Sequence, residues 1–180
     1  MNGSAQAFVL ETPRLLLRRL RPDDLDALAA IYGDPEVRRY FPEGVLDREQ
    51  TREELEWFLD GHPDDPRLGL WATIHKGNGR FIGRSGLLLW DLDGRREIEV
   101  AYLLARPWWG QGLGTEAARA LVRYGFEHLR LPRLVSLIDP ANRASIRTAE
   151  SAGMGFERET ELDGLRVSIY AIANPRAGEG

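Results

Sequence analysis

The stretch Arg106-Pro107-Trp108-Trp109-Gly110-Gln111-Gly112-Leu113-Gly114-Thr115 restricts the fold more than any other part of the chain. Pro107 has no N–H to give to a strand ladder, so the apolar run Ile98 to Leu104 has to end before it. Glycines at 110, 112 and 114 then permit a tight turn without Cβ clashes. Beyond them the pattern turns helical, with Leu113, Ala117, Ala118, Leu121 and Val122 on one face and Glu116, Arg119, Arg123 and Glu127 on the other. A turn of this kind leaves backbone N–H groups bare at the positive end of a helix dipole, where phosphate or pyrophosphate is the natural guest. A glycine-rich connection without a ligand is the plain alternative.

Two familiar phosphate loops are excluded by spacing. A P-loop needs Gly-Lys-Ser/Thr, and the one lysine of the chain is Lys76. A Rossmann fingerprint starting at Gly110 needs a third glycine at position 115, which is threonine. Composition narrows the classes further. A length of 180 residues suits one domain, expected over 9–173, with 1–8 and 174–180 as flexible termini. With no cysteine there is no disulfide, thiolate metal site or cysteine nucleophile, and the three scattered histidines show no metal-ligand spacing. The net charge of −4 argues against a general nucleic-acid binder and suits a cationic acceptor. Met1 to Leu10 carries no basic n-region or long apolar run, so neither a signal peptide nor a membrane span is expected and the cytoplasm is the default location.

Along the chain, Leu15 to Leu20 predicts a strand, and Pro22-Asp23-Asp24 starts a helix striped by Leu25, Leu28, Ala29 and Tyr32. Asp47 and Gln50 form a capping-box pair ahead of a second helix that Gly61 closes. Strands over Leu70–His75 and Phe81–Trp90 flank a glycine-containing turn, and Asp91 to Gly94 turns the chain into the strand from Glu97. Leu134 to Ile138, a helix from about Asn142 to Ala152, and a final hairpin about Asp163-Gly164 complete the pattern. The order indicates an α+β fold with a mixed sheet.

The motifs together resemble the GNAT superfamily of acyl-CoA N-acyltransferases. Trp109-Gly110-Gln111-Gly112-Leu113-Gly114, continued by Thr115-Glu116-Ala117, is similar to its central motif in the form used by the RimJ/RimL-type branch. Glu99-Val100-Ala101-Tyr102-Leu103-Leu104 resembles the family's fourth strand, and Asn142-Arg143-Ala144-Ser145 with Glu150-Ser151-Ala152-Gly153-Met154 resembles its second CoA-side motif. The resemblance spans roughly residues 9–173. It implies a three-layer α/β/α architecture: a mixed, mostly antiparallel twisted sheet of about seven strands, splayed between the fourth and fifth, with about four helices. It also implies acetyl-CoA as cosubstrate, no metal, and an amine acceptor, either a protein N-terminus or a small molecule. A homodimer stays open. A non-catalytic acyl-CoA-binding module with the same fold is the alternative function.

Transfer from a thioester to an amine needs a neutral amine, a polarised carbonyl and a leaving thiolate, and no protein nucleophile. An α-amine has a pKa near 8 and a lysine near 10.4, so the second needs a base or a shifted pKa. Glu99 is the expected base by resemblance, with Glu97 on the same strand face as understudy near the substrate; a glutamate merely opposite an arginine is the alternative. A fourth-strand backbone N–H is the family's carbonyl-polarising group, which implicates Leu103 with Leu104 alongside. Many relatives carry a tyrosine seven residues after the position of Asn142; here that residue is Ala149, which leaves Ser145 as the nearest polar group for the thiolate. Ser145 could equally be a hydroxyl satisfied in its helix, and Asn142 could contact the cofactor or cap that helix. The cofactor loop runs from Trp109 through Thr115, and Tyr40 and Phe41 either line the acceptor cleft or pack on the sheet.

Overall fold

The computed structural model describes residues 8–177, so residues 1–7 and 178–180 of the expected flexible termini lie outside the described residues. The strands are β1 (Phe8–Glu11), β2 (Leu15–Arg19), β3 (Gly69–His75), β4 (Arg80–Leu92), β5 (Arg95–Leu104), β6 (Arg133–Ile138), β7 (Gly155–Leu162) and β8 (Leu165–Ala173). The helices are α1 (Leu25–Tyr32), α2 (Arg48–Trp57), α3 (Leu113–Glu127) and α4 (Arg143–Ser151). All eight strands join one sheet in the order β1-β2-β3-β4-β5-β6-β8-β7. That is one strand more than expected. The sequence places only Phe8 in the loose terminus and predicts no strand over Phe8–Glu11, yet this segment pairs antiparallel with β2 across a bulge and buries Leu10. Residues 174–177 form a turn in which Asn174 bonds the Leu131 and Pro132 carbonyls, which ties down the described part of the expected loose tail.

Local chemistry explains the connections. Asp93-Gly94 and Asp163-Gly164 all have positive φ, as a two-residue turn matching the strand twist requires, and they close the β4–β5 and β7–β8 hairpins. Asp47 accepts from the Gln50 N–H while the Gln50 side chain accepts from the Asp47 N–H, both at 2.9 Å, and this reciprocal cap starts α2. Asn142 Oδ1 accepts from the Ser145 N–H at 3.1 Å and caps α4.

Successive side chains of β5 part to opposite faces. Leu103 packs with Leu28, Ile31, Tyr32 and Leu55 of α1 and α2. Val100 and Leu104 pack with Ala117, Leu121, Ile146 and Ala149 of α3 and α4. The sheet is therefore the middle of three layers. No helix among the described residues is long and apolar enough to cross a membrane.

Every neighbouring pair of strands is antiparallel except β5 and β6, which are parallel and share a single registered pair, Glu99 with Val135. Parallel neighbours need a crossover, and α3 supplies it. Past Glu99 the two strands separate, so the C-terminal half of β5 keeps its β4 ladder and has an open edge toward β6. The splay thus falls between the fifth and sixth strands, displaced from the expected fourth and fifth by the extra strand β1.

Gly83 sits opposite that open half. A Cβ there would lie 2.1 Å from the Leu103 carbonyl oxygen, a backbone atom that cannot step aside. Gly83→Ala is expected to destabilise the protein by about 2–4 kcal/mol, read as a lower urea midpoint.

Candidate active site

The glycine turn enters α3 through two left-handed residues, Gly110 (φ 72) and Gly112 (φ 75), a conformation that costs other residues about 1–2 kcal/mol. Gly112 is the N-cap and provides no side-chain acceptor. The first helical bond is Glu116 N–H to Gly112 O at 3.0 Å, which leaves the N–H groups of Leu113, Gly114 and Thr115 without intrahelical partners. Gly110 has open space where a side chain would stand. These bare donors at a dipole terminus form an anion-accepting surface.

The loop is held from two sides. Glu116 accepts from Thr12 Oγ1 at 2.6 Å, from the Arg14 N–H at 2.9 Å and from Arg14 Nε at 2.6 Å. Burial pushes its pKa up, yet these bonds win and hold the carboxyl below its usual range. Arg14 Nη1 in turn donates to the Gln111 carbonyl at 2.8 Å. On the other side Trp109 Nε1 donates to the Leu104 carbonyl at 2.7 Å, which clasps the loop to the end of β5. Gln111 turns its own amide back to the Pro107 carbonyl at 3.0 Å.

The alternation of ladder bonds decides which β5 amides are free. Ala105 N–H donates to Ile82 O at 2.8 Å, so the odd-numbered residues face β4. Ser136 Oγ donates to Val100 O at 3.1 Å and Trp109 reaches Leu104 O, so the even-numbered residues face the open edge. Leu103 therefore spends its backbone polar groups on the β4 ladder, and the free edge is made by Tyr102 and Leu104.

Glu99 lies at the last point of β5–β6 contact. Its carboxylate is partly buried and accepts from Trp90 Nε1 at 2.6 Å. Desolvation raises its pKa to about 7 against the opposing effects of the Trp90 indole N–H, the Arg84 charge and the Leu137 N–H. Glu97 is taken elsewhere: it is buried and accepts from Arg133 Nε at 3.0 Å, while Arg133 also grips Glu157 at 2.6 Å. The residue expected as a substrate contact lies in an ion-pair cluster joining β5, β6 and β7.

Across the open edge, Tyr102 Oη donates to the Ser145 carbonyl at 3.0 Å and lies 3.1 Å from Ser145 Oγ. Burial pushes the Tyr102 phenol up to about 12, so it keeps its proton near neutrality. Asn142 adopts the capping role. Phe41 is partly buried beside the Leu103 cluster with the Arg38 guanidinium 4.1 Å from its ring centroid, whereas Tyr40 lies under Arg39 at 5.6 Å. The fold thus brings Glu99 and Ser145 to the two sides of the β5 opening with the glycine turn beyond it, Phe41 beside Leu103 and Arg84, Tyr40 beside Arg39, and Glu97 against Arg133.

Tyr102 and Arg84 are the residues that sequence reasoning missed. Tyr102 stands within the strand motif itself, three positions beyond Glu99, and its even register was the available signal. Arg84, opposite Leu103 on β4, is buried in the sheet and looked like ordinary strand polarity in the sequence.

The GNAT acetyltransferase domain family matches residues 14–155. The chain belongs to the GNAT family. One GNAT relative, described as an uncharacterized N-acetyltransferase p20 from Bacillus licheniformis, is 32% identical over 171 residues, covering 91% of this chain and 94% of its own. The crystal structure of an acetyltransferase from Agrobacterium tumefaciens superposes with TM-score 0.76 at 29% identity, over 91% of this chain and 92% of that one. The ribosomal L7/L12 α-N-protein acetyltransferase RimL, solved in complex with coenzyme A, shares the fold with TM-score 0.75 at 18% identity, over 92% and 97% of the two chains. This GNAT chain is an acetyl-CoA-dependent acetyltransferase.

Glu99 also makes stability depend on pH. Its folded pKa lies above the ordinary 4.5, so between about 4.5 and about 7 the folded state binds the proton more tightly and its stability declines as pH rises. Glu99→Gln is expected to flatten that part of the profile. Urea midpoints of both proteins at several pH values across the window check it.

Proposed function

We propose that the protein moves the acetyl group of acetyl-CoA to a primary amine by direct attack on the thioester, with Glu99 as general base acting through water. The observation that carries this reading is a partly buried carboxylate with a pKa of about 7 at the point where β5 parts from β6. A group with that pKa is half deprotonated at neutral pH and can take up, through water, the proton that the neutral amine sheds as it bonds to the carbonyl carbon.

The bare N–H groups of Leu113, Gly114 and Thr115 suit the diphosphate, with Trp109, Gly110, Gln111 and Gly112 shaping the turn around it. The open edge of β5 suits an extended pantetheine arm, which pairs as an added strand would. An edge N–H, that of Tyr102 or Leu104, polarises the thioester carbonyl and stabilises the oxyanion. As the amine nitrogen bonds to the carbonyl carbon, its proton passes to Glu99. The tetrahedral intermediate then expels the thiolate.

Tyr102 spends its proton on the Ser145 carbonyl, which leaves the Ser145 hydroxyl free to donate a hydrogen bond to the departing thiolate, whose proton then comes from solvent. This arrangement takes the place of the tyrosine absent at Ala149. Thiols have a pKa of about 8.5, so the leaving group asks for modest help only. The acceptor is a protein N-terminal α-amine or a small-molecule amine, in keeping with the RimJ/RimL-type form of the loop.

Glu99→Gln is expected to lower kcat by about 10²- to 10³-fold with acetyl-CoA affinity held within a few-fold, measured by thiol release and calorimetry. The wild-type rate should fall as pH drops through about 7, because protonation removes the base, and the variant should lose that limb. Ser145→Ala should lower kcat by about tenfold. Equal rates for Glu99→Gln and wild type over a panel of amines would overturn the assignment of the base.

A further inference from the structure

The face of the sheet that carries Glu99 holds a second charged centre that the transfer chemistry does not use. Arg84 lies opposite Leu103 on β4, four residues from the partner of Glu99, and is only 6% exposed. Its side chain and that of Glu99 extend from the same face, because Arg84 and Leu88 have the parity that pairs with Leu103 and Glu99. Arg84 Nε donates to Tyr32 Oη at 2.9 Å, and Tyr32 donates to Glu54. Burial raises the Tyr32 phenol far above its ordinary value, so Arg84 is bonded to a neutral oxygen and touches no carboxylate directly.

A guanidinium has five N–H donors, and only one of these is used. Among the described residues, neither Nη1 nor Nη2 of Arg84 has a protein acceptor, and neither is sealed away as a buried orphan. Both tips therefore keep a trace of exposure and free donors while the rest of the side chain is buried. The Arg84 guanidinium carbon is 5.7 Å from the Phe41 ring centroid.

Arg38, 3% exposed, adds a second guanidinium over the same ring. Its ion pair with Glu43 spans 3.1 Å, but the Glu43 side chain is 62% exposed. Burial, and next the Arg84 charge, depress the Arg38 pKa. Two buried cations thus lie by one aromatic ring, and neither has a buried carboxylate bonded directly to it, an arrangement that favours a further anion.

We propose that Arg84 receives a carboxylate of the acceptor, so that the enzyme acetylates a small amine carrying a carboxylate on the same molecule, in the manner of a free amino acid. This rests on the reading of Glu99 as base and of this face as the acceptor side. The planar fork of two free Nη groups matches a carboxylate in bidentate fashion, and burial makes that pairing strong. Tyr32 and Glu54 fix the fork from behind, so little rotamer freedom is lost when the acceptor binds. Phe41 covers the apolar part of the same molecule.

The test compares free amino acids with their carboxamides in a thiol-release assay with acetyl-CoA. The amide's amine is less basic and more available as the neutral form, so intrinsic reactivity favours the amide. The proposal expects the reverse, with kcat/KM for the acid higher by at least about thirtyfold. Arg84→Gln should erase the preference mainly through KM and Arg84→Lys should restore part of it, with acetyl-CoA binding by calorimetry unchanged in both. Circular dichroism melts establish that each variant is folded.

An arm independent of turnover titrates N-acetylglycine into the CoA-bound protein and follows the Arg84 Nε–H resonance by NMR, with N-acetylglycinamide as control. A shift with the acid alone supports the proposal. Equal or better turnover of amides or of uncharged peptide N-termini, a preference that survives Arg84→Gln, or an unmoved Arg84 resonance overturns it. Failure to bind acetyl-CoA would instead overturn the function on which it rests, and the two failures are thereby told apart.

Discussion

The separation of β5 from β6 beyond the Glu99–Val135 pair is the constraint on which the remaining features depend. Two parallel strands joined by a helix would ordinarily pair along their length. Here the parting leaves one half-strand with its donors free on one side and a full ladder on the other. Everything assigned to chemistry lies along that parting: Glu99 at its apex, Tyr102 and Ser145 across it, and the glycine turn at its mouth. The two helix pairs on opposite faces keep it from closing, since the Leu103 side chain is packed below the sheet and Leu104 above it.

The glycine turn and the parting act as one device because hydrogen bonds join them. Trp109 reaches back to Leu104, and the Thr12, Arg14 and Glu116 cluster braces the first turn of α3. Neither contact involves the bare N–H groups, so the brace leaves the anion surface open. On the other face, the chain from Arg84 through Tyr32 to Glu54 gives a buried cation a fixed position without neutralising it. One face of the sheet therefore carries a carboxylate whose pKa burial pushes up and a buried guanidinium that, among the described residues, bonds no carboxylate directly.

Much of this was legible in the residues. The strand, turn and helix around Pro107 and three glycines, both Asp-Gly hairpins and the Asp47–Gln50 cap follow from short-range rules, which is why they could be placed from sequence. Glu99 and Ser145 came from resemblance, and the fold brings them to the two sides of one opening. Less legible were features set by register and by distant partners. The arginine-paired fate weighed for Glu99 belongs instead to Glu97, because Arg133 lies beside the latter and no pattern in β5 reveals which strand residue β6 will present. The amide directions of Leu103 and Leu104 are hidden for the same reason: strand period tells which side chains share a face, while the direction of each amide depends on how β4 is paired. The strand β1 was missed because a four-residue run at a chain end has little periodicity to read.

The brace on Glu116 has a consequence for the order in which the molecule is built. Arg14 and Glu116 are 102 positions apart, so closing that contact confines a long intervening segment. During synthesis from the N-terminus, the Arg14 side chain between β1 and β2 has no Glu116 to pair with until α3 has emerged. The β6-β8-β7 portion then assembles onto a platform that is already complete. Topology of this kind sets a slow, late folding step at the mouth of the site, and the interval before it is when the chain is most exposed to wrong pairing.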